Sequence, residues 1–178
     1  GSIRINIGSS GSGSGGDASL TAGHSDGATG GALTIQSGYG VATSSGAVSL
    51  STANAGAQGV SGAISIMSGT TSAGSSGEVR IETGNSAGGS GGNIMMVVGS
   101  GDSTDKGGQV GLIAGDSSSQ GGAGGAVEIR GGSASGSKDT SIGGSIDLAA
   151  GSSNGATGGS VVLQSGASEL YSSGDILI

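Results

Sequence analysis

The sequence predicts an all-β chain, specifically a parallel β-solenoid. One short phrase recurs about every 15 residues along the whole chain. Within each recurrence apolar and non-apolar residues alternate. The spacers between recurrences are built almost wholly from small residues. A fixed repeat period with a strand-like alternation is the signature of a solenoid.

The phrase is seen in Gly30-Gly31-Ala32-Leu33-Thr34-Ile35, Ser61-Gly62-Ala63-Ile64-Ser65-Ile66 and Gly158-Gly159-Ser160-Val161-Val162-Leu163. Each copy is anchored on a glycine: Gly1, Gly16, Gly31, Gly46, Gly62, Gly77, Gly92, Gly108, Gly125, Gly144, Gly159 and Gly174. The twelve anchors are spaced by 15 to 19 residues.

The second residue after each anchor is Ile3, Ala18, Leu33, Val48, Ile64, Val79, Ile94, Val110, Val127, Ile146, Val161 or Ile176. The fourth is Ile5, Leu20, Ile35, Leu50, Ile66, Ile81, Met96, Leu112, Ile129, Leu148, Leu163 or Ile178. All 24 sites are apolar in a chain that is 32% hydrophobic, so the pattern is not that of a disordered linker. Charges fall between them at Glu78, Arg80, Glu82, Glu128, Arg130 and Asp147. Period-2 alternation of this kind predicts half-buried strands.

Further glycines, including Gly38, Gly69, Gly84, Gly99, Gly115 and Gly166, follow most of these runs and predict a positive φ or a sharp bend. The returns are Gly, Ser, Ala, Asn and Thr, as in Asn85 to Ser90 and Ser152 to Thr157. The expected architecture is one solenoid array over residues 1–178, thin and flattened, with Ile, Leu and Val facing small residues. Twelve turns at a strand spacing of about 4.8 Å give a rod on the order of 55 Å long. The chain starts on an anchor and stops at Ile178 in mid-phrase, which leads us to expect a segment of a longer array.

Composition narrows the function. There are 45 Gly and no Pro, Cys, Trp or Phe. Without Pro, and without Gly at every third position, the chain is not collagen-like. Without Cys there is no disulfide framework and no thiolate metal site. No apolar run is long enough for a membrane-spanning helix. A net charge of −7 argues against a nucleic-acid partner.

The phrase [Gly/Ser]-Gly-x-φ-x-φ-x-x-Gly (φ here an apolar residue), with Ser/Ala/Gly spacers, resembles the Gly/Ser-rich β-solenoid repeat proteins of the diatom-type algal surface or secreted kind. The resemblance covers the whole chain. It implies an extracellular or cell-surface repeat protein and supplies no catalytic residue. No signal peptide is visible in the sequence.

The candidate chemistry is sparse. His24 is the one histidine and stands near Asp26; with neither a titratable cluster nor long loops, an enzyme is not expected, and no cofactor is expected. Gly11-Ser12-Gly13-Ser14-Gly15-Gly16 matches G-x-G-x-x-G, but the next element expected is a strand, not the helix that phosphate binding requires. The best metal candidate is Asp102, Asp105 and Asp116, with Lys106 competing beside them. A stacked hydroxyl face of the ice-binding type starts at Ser19/Thr21, Thr34/Gln36 and Ser49/Ser51, then breaks at Ser65/Met67, Arg80/Glu82 and Met95/Val97.

Met95, Val97, Ile113, Val162 and Leu177 fall on the outward parity and predict lateral self-association; the long return from Ser133 to Ile142 could instead cover them. Ile3 and Ile5 at one end, and Ile176 and Ile178 at the other, predict end-to-end contact through open strand edges. The expected function is a rod or filament segment acting as scaffold, coat or adhesive. The alternative is a module that binds a repetitive surface such as polysaccharide, mineral or ice.

Overall fold

The computed structural model describes residues 1–102, 104, 106–136 and 140–178. It corrects the predicted fold class. Among the described residues there is no helix and no strand, so neither a sheet nor a β-solenoid (β-helix) is formed. The chain divides into two compact units, Gly1–Glu82 and Thr83–Ile178.

Two observations account for the missing sheet. Nine main-chain hydrogen bonds are present among the described residues. A folded chain of ordinary kind makes about one hydrogen bond per residue, mostly along its main chain. Seven of the nine close returns locally, and the other two are turns, Gly59 to Gly56 and Gly122 to Ser119. None runs between the apolar residues of one segment and those of the next. The opposite wall is missing as well. The returns are rich in Gly, Ser, Ala, Asn and Thr, and the larger apolar residues among them, Val41, Val60, Ile142 and Leu170, are 84–95% exposed and cover nothing.

No residue with a hydrophobic side chain is buried. The accessible surface is 17463 Å². A compact chain of 16.1 kDa would expose about 7,400 Å², and an unfolded one about 23,000 Å².

The repeat is nonetheless written into the local structure. In seven returns the anchor N–H donates to a carbonyl at the end of the preceding segment: Gly16 to Gly8, Gly31 to Gly23, Gly46 to Gly38, Gly125 to Gly115, Gly144 to Gly132, Gly159 to Gly151 and Gly174 to Gly166, at 2.8–3.3 Å. Longer returns close in the same way. The return from Gly115 to Gly125 takes up its extra residues in the turn where Gly122 N–H donates to Ser119 at 3.1 Å, with Gly121 at φ +78°.

The glycines after the apolar runs therefore have a different role from the one their sequence predicts. Among the described residues positive φ occurs only at Gly74 and Gly121. Gly38, Gly115 and Gly166 instead serve as acceptors of the closing bond.

Serine has a fixed place in these returns too. Ser10, Ser25, Ser153 and Ser168 each stand nine residues after an anchor. Their hydroxyls accept the amides of Gly13, Ala28, Ala156 and Tyr171, three residues on, at 2.9–3.1 Å. A hydroxyl that satisfies a nearby backbone donor is the usual reason for serine in a turn.

Candidate assembly surface

The sixth residue after each anchor lies beside the next anchor. It is Ile7, Ala22, Ser37, Thr52, Ser68, Thr83, Val98, Ala114, Gly131, Ala150 or Ser165. In ten of the eleven returns a Cβ added to the next anchor would meet this side chain: Gly16 against Ile7, Gly31 against Ala22, Gly62 against Thr52, Gly108 against Val98, and so on to Gly174 against Ser165. At Gly16 the approach would be 2.6 Å, and at Gly92 it would be 3.3 Å from Thr83. In the remaining return the sixth residue is itself a glycine, Gly131, whose added Cβ would strike the Gly144 carbonyl. At Gly16 and Gly108 a side chain would force a neighbour to move, at Gly31, Gly92, Gly125 and Gly144 it would be tight, and at the remaining anchors it would make only ordinary contact or none.

The apolar segments bury nothing, and their fourth-position side chains from Ile5 to Leu163, 59–81% exposed, overlap in exposure with the outward ones; only the second-position side chains from Leu33 onward stand apart. The second-position side chains from Leu33 to Ile176 are 50–63% exposed. The outward residues Met67, Met95, Val97, Ile113, Val162 and Leu177 are 76–95% exposed. Of the end residues, Ile3, Ile5 and Ile178 are exposed, and Ile176 is half exposed. All the residues predicted for self-association are therefore accessible. In the first unit Ile5, Ile7, Asp17, Ala18, Ser19 and Leu20 line an open cleft of ≈ 490 Å³. Where a backbone ladder was expected, apolar side chains border open space.

The polar side chains between the apolar ones share the opposite side. Arg80 Nη2 donates to Glu82 Oε2 at 2.5 Å, and Arg130 pairs with Glu128, two residues before it. Ser19 and Thr21 hydroxyls lie 3.5 Å apart.

The other candidates gain nothing from the structure. His24 Nε2 lies 2.9 Å from Asp26 Oδ1, both groups exposed, with no nucleophile placed by them. The glycine run Gly11 to Gly16 leads into a segment without helix. Asp105 lies outside the described residues; no cluster of His, Cys, Asp or Glu able to hold a metal occurs among the described ones, Asp102 and Asp116 included. In the return from Ser133 to Ile142, positions 137–139 likewise lie outside the description, Lys138 and Asp139 among them. No helix is long and apolar enough to cross a membrane.

No family model, curated protein or solved structure matches this chain. The sixth and ninth positions were missed in the sequence because neither is uniformly apolar. Their signal is a preference for small or hydroxyl side chains, which a search for apolar periodicity does not register.

Proposed function

We propose that the protein is a structural repeat component that assembles with itself and works as an extracellular or cell-surface scaffold, coat or adhesive. The observation that supports this is an apolar side chain at every second and fourth position with none buried. Burial of apolar surface is the main favourable term in folding and association. A chain that leaves this surface open gains that term by covering it with another molecule, and a second copy offers the same spacing. Lateral contact is the route taken here, since the described residues hold no backbone ladder for a further chain to extend. The outward side chains change from copy to copy, which suits a specific mate better than a monotonous crystal or polymer face. The extracellular setting rests on the Gly/Ser-rich composition and on the resemblance to surface or secreted repeat proteins of that composition.

Sedimentation of the full chain over a wide concentration range tests the proposal. Species that grow with concentration support it. A monomer at every concentration overturns it.

A further inference from the structure

The charged residues of the segments follow a rule that bears on how two copies meet. The chain has 17 charged side chains besides His24, counting 5 basic and 12 acidic. Five of them, Glu78, Arg80, Glu82, Glu128 and Arg130, fall in two short segments, Gly77–Glu82 and Gly125–Arg130. These five include two of the three arginines and three of the four glutamates.

The two segments carry the same pair in opposite order. At the third position after the anchor stand Arg80 in one and Glu128 in the other; at the fifth stand Glu82 and Arg130. Each pair lies on one side of its segment, because each closes an ion pair two residues apart. The remaining third-position charges obey the same division. Arg4, like Arg80, belongs to the unit Gly1–Glu82, and Asp147, like Glu128, belongs to the unit Thr83–Ile178. At the third and fifth positions no like charges are shared between the two units.

We propose that the segment Gly77–Glu82 of one chain docks against the segment Gly125–Arg130 of a second copy. This proposal rests on the self-assembly reading and names its contact. In a parallel, in-register pairing Arg80 meets Glu128 and Glu82 meets Arg130. In an antiparallel pairing Arg80 still meets Glu128, and Glu78 meets Arg130. Either direction sets opposite charges face to face, and opposite charges directly across from one another stabilise paired extended chains. The apolar side chains on the other side of both segments, Val79, Ile81, Val127 and Ile129, are all at least half exposed and lie beside the contact as further surface to cover.

Area is not limiting. The exposed surface exceeds that of a compact chain by about 10,000 Å², whereas a standard interface takes about 800 Å² from each partner. Net charge is not an obstacle at this place either. The pairs Arg80/Glu82 and Glu128/Arg130 are each neutral, so the −7 of the chain is carried largely elsewhere. A contact of this kind leaves one pair unused on each of two joined chains, so a third chain can add.

Reordering the charges without changing their number tests the contact. The double variant Arg80→Glu/Glu82→Arg keeps the composition, the net charge and a local ion pair, but opposes like charges across the contact. Glu128→Arg/Arg130→Glu does the same from the other side. The fourfold variant restores opposite charges at both sites of the parallel pairing, the direction put to the test; in the antiparallel one Glu78 would face an acidic residue at position 130. Sedimentation of full-length chains at low salt should show each double variant associating on the order of tenfold more weakly and the fourfold variant returning to the unmodified behaviour. High salt should narrow the difference. If the unmodified chain associates and the double variants associate equally well, the contact is wrong while self-assembly stands; a fourfold variant that fails to recover overturns the parallel pairing. If the unmodified chain stays monomeric, both fall.

Discussion

The first three and last four returns close on an amide–carbonyl bond, whereas the four in the middle do not. The closed ones pivot on Ile7, Ala22, Ser37, Ala114, Gly131, Ala150 and Ser165; the open ones pivot on Thr52, Ser68, Thr83 and Val98. Three of the four open pivots are branched at Cβ, and six of the seven closed pivots are Ser, Ala or Gly. Ile7 marks the boundary between the two behaviours. It is branched, and its return closes with the longest of the seven bonds, 3.3 Å. A second methyl or hydroxyl on Cβ stands where the returning anchor would pass. At Thr83 the hydroxyl takes over part of the role and donates to the Gly92 carbonyl at 3.3 Å. Nothing in the structure explains why the return after Ser68 stays open. The division between the two compact units, at Glu82 and Thr83, falls inside the open stretch. Branching at the pivot thus accompanies three of the four open returns, with Ile7 and Ser68 the two exceptions.

Amide hydrogen exchange at the anchor glycines reads this difference directly, since protection reports local opening. The largest effect is expected from Gly131→Ala. Its Cβ would overlap the Gly144 carbonyl, a main-chain atom that cannot swing aside as a side chain can. An overlap of this kind typically costs about 1–3 kcal/mol, so Gly144 should lose its protection by roughly tenfold or more. Protection that survives would mean that the closure does not need the contact.

A smaller loss is expected from Ala150→Val, which turns a closed return into an imitation of the one at Val98. The Gly159 bond, 2.9 Å, should open. The loss of one hydrogen bond, worth about 1 kcal/mol net, corresponds to roughly fivefold faster exchange at Gly159. An unchanged rate would break the link between branching and opening.

The reverse substitution should act more weakly. Thr83→Ala removes the branch and the Thr83–Gly92 hydroxyl bond together. We expect slower exchange at Gly92 by about twofold to fivefold, because the new main-chain bond replaces one already present. Faster exchange would show that the hydroxyl, and not closure, protects this anchor.

The smallest effect belongs to Gly27→Ala, which has nothing within 4 Å of the added Cβ. Exchange at Gly31, closed by the same return, should change less than about twofold, as for an ordinary surface substitution. A large change there would mean that return flexibility, not the pivot, controls closure.

How much of this was legible in the residues differs from one feature to the next. The anchor glycines and the alternation were legible, and the second-position residues are less exposed than Met95 or Leu177, as parity requires. The charge inversion between Arg80/Glu82 and Glu128/Arg130 is likewise a matter of register alone. The solenoid was not borne out, because period and parity say which side a residue faces and nothing about what stands opposite. The pivots were not legible either. A mixture such as Ala22, Thr83 and Val98 has no common hydropathy, and its effect appears only when an anchor glycine returns beside it.

The sequence by itself determined the twelve-fold period, the two faces of each segment and the positions of the charges, since all of these follow from local spacing. The tertiary structure alone decided which glycines bond to which, which returns stay open, and that the Ile, Leu and Val side chains find no cover within the chain. The physical reason is one of volume. Alternation can orient an aliphatic side chain, but burial needs matter on the other side, and returns of Gly, Ser and Ala do not bring enough of it.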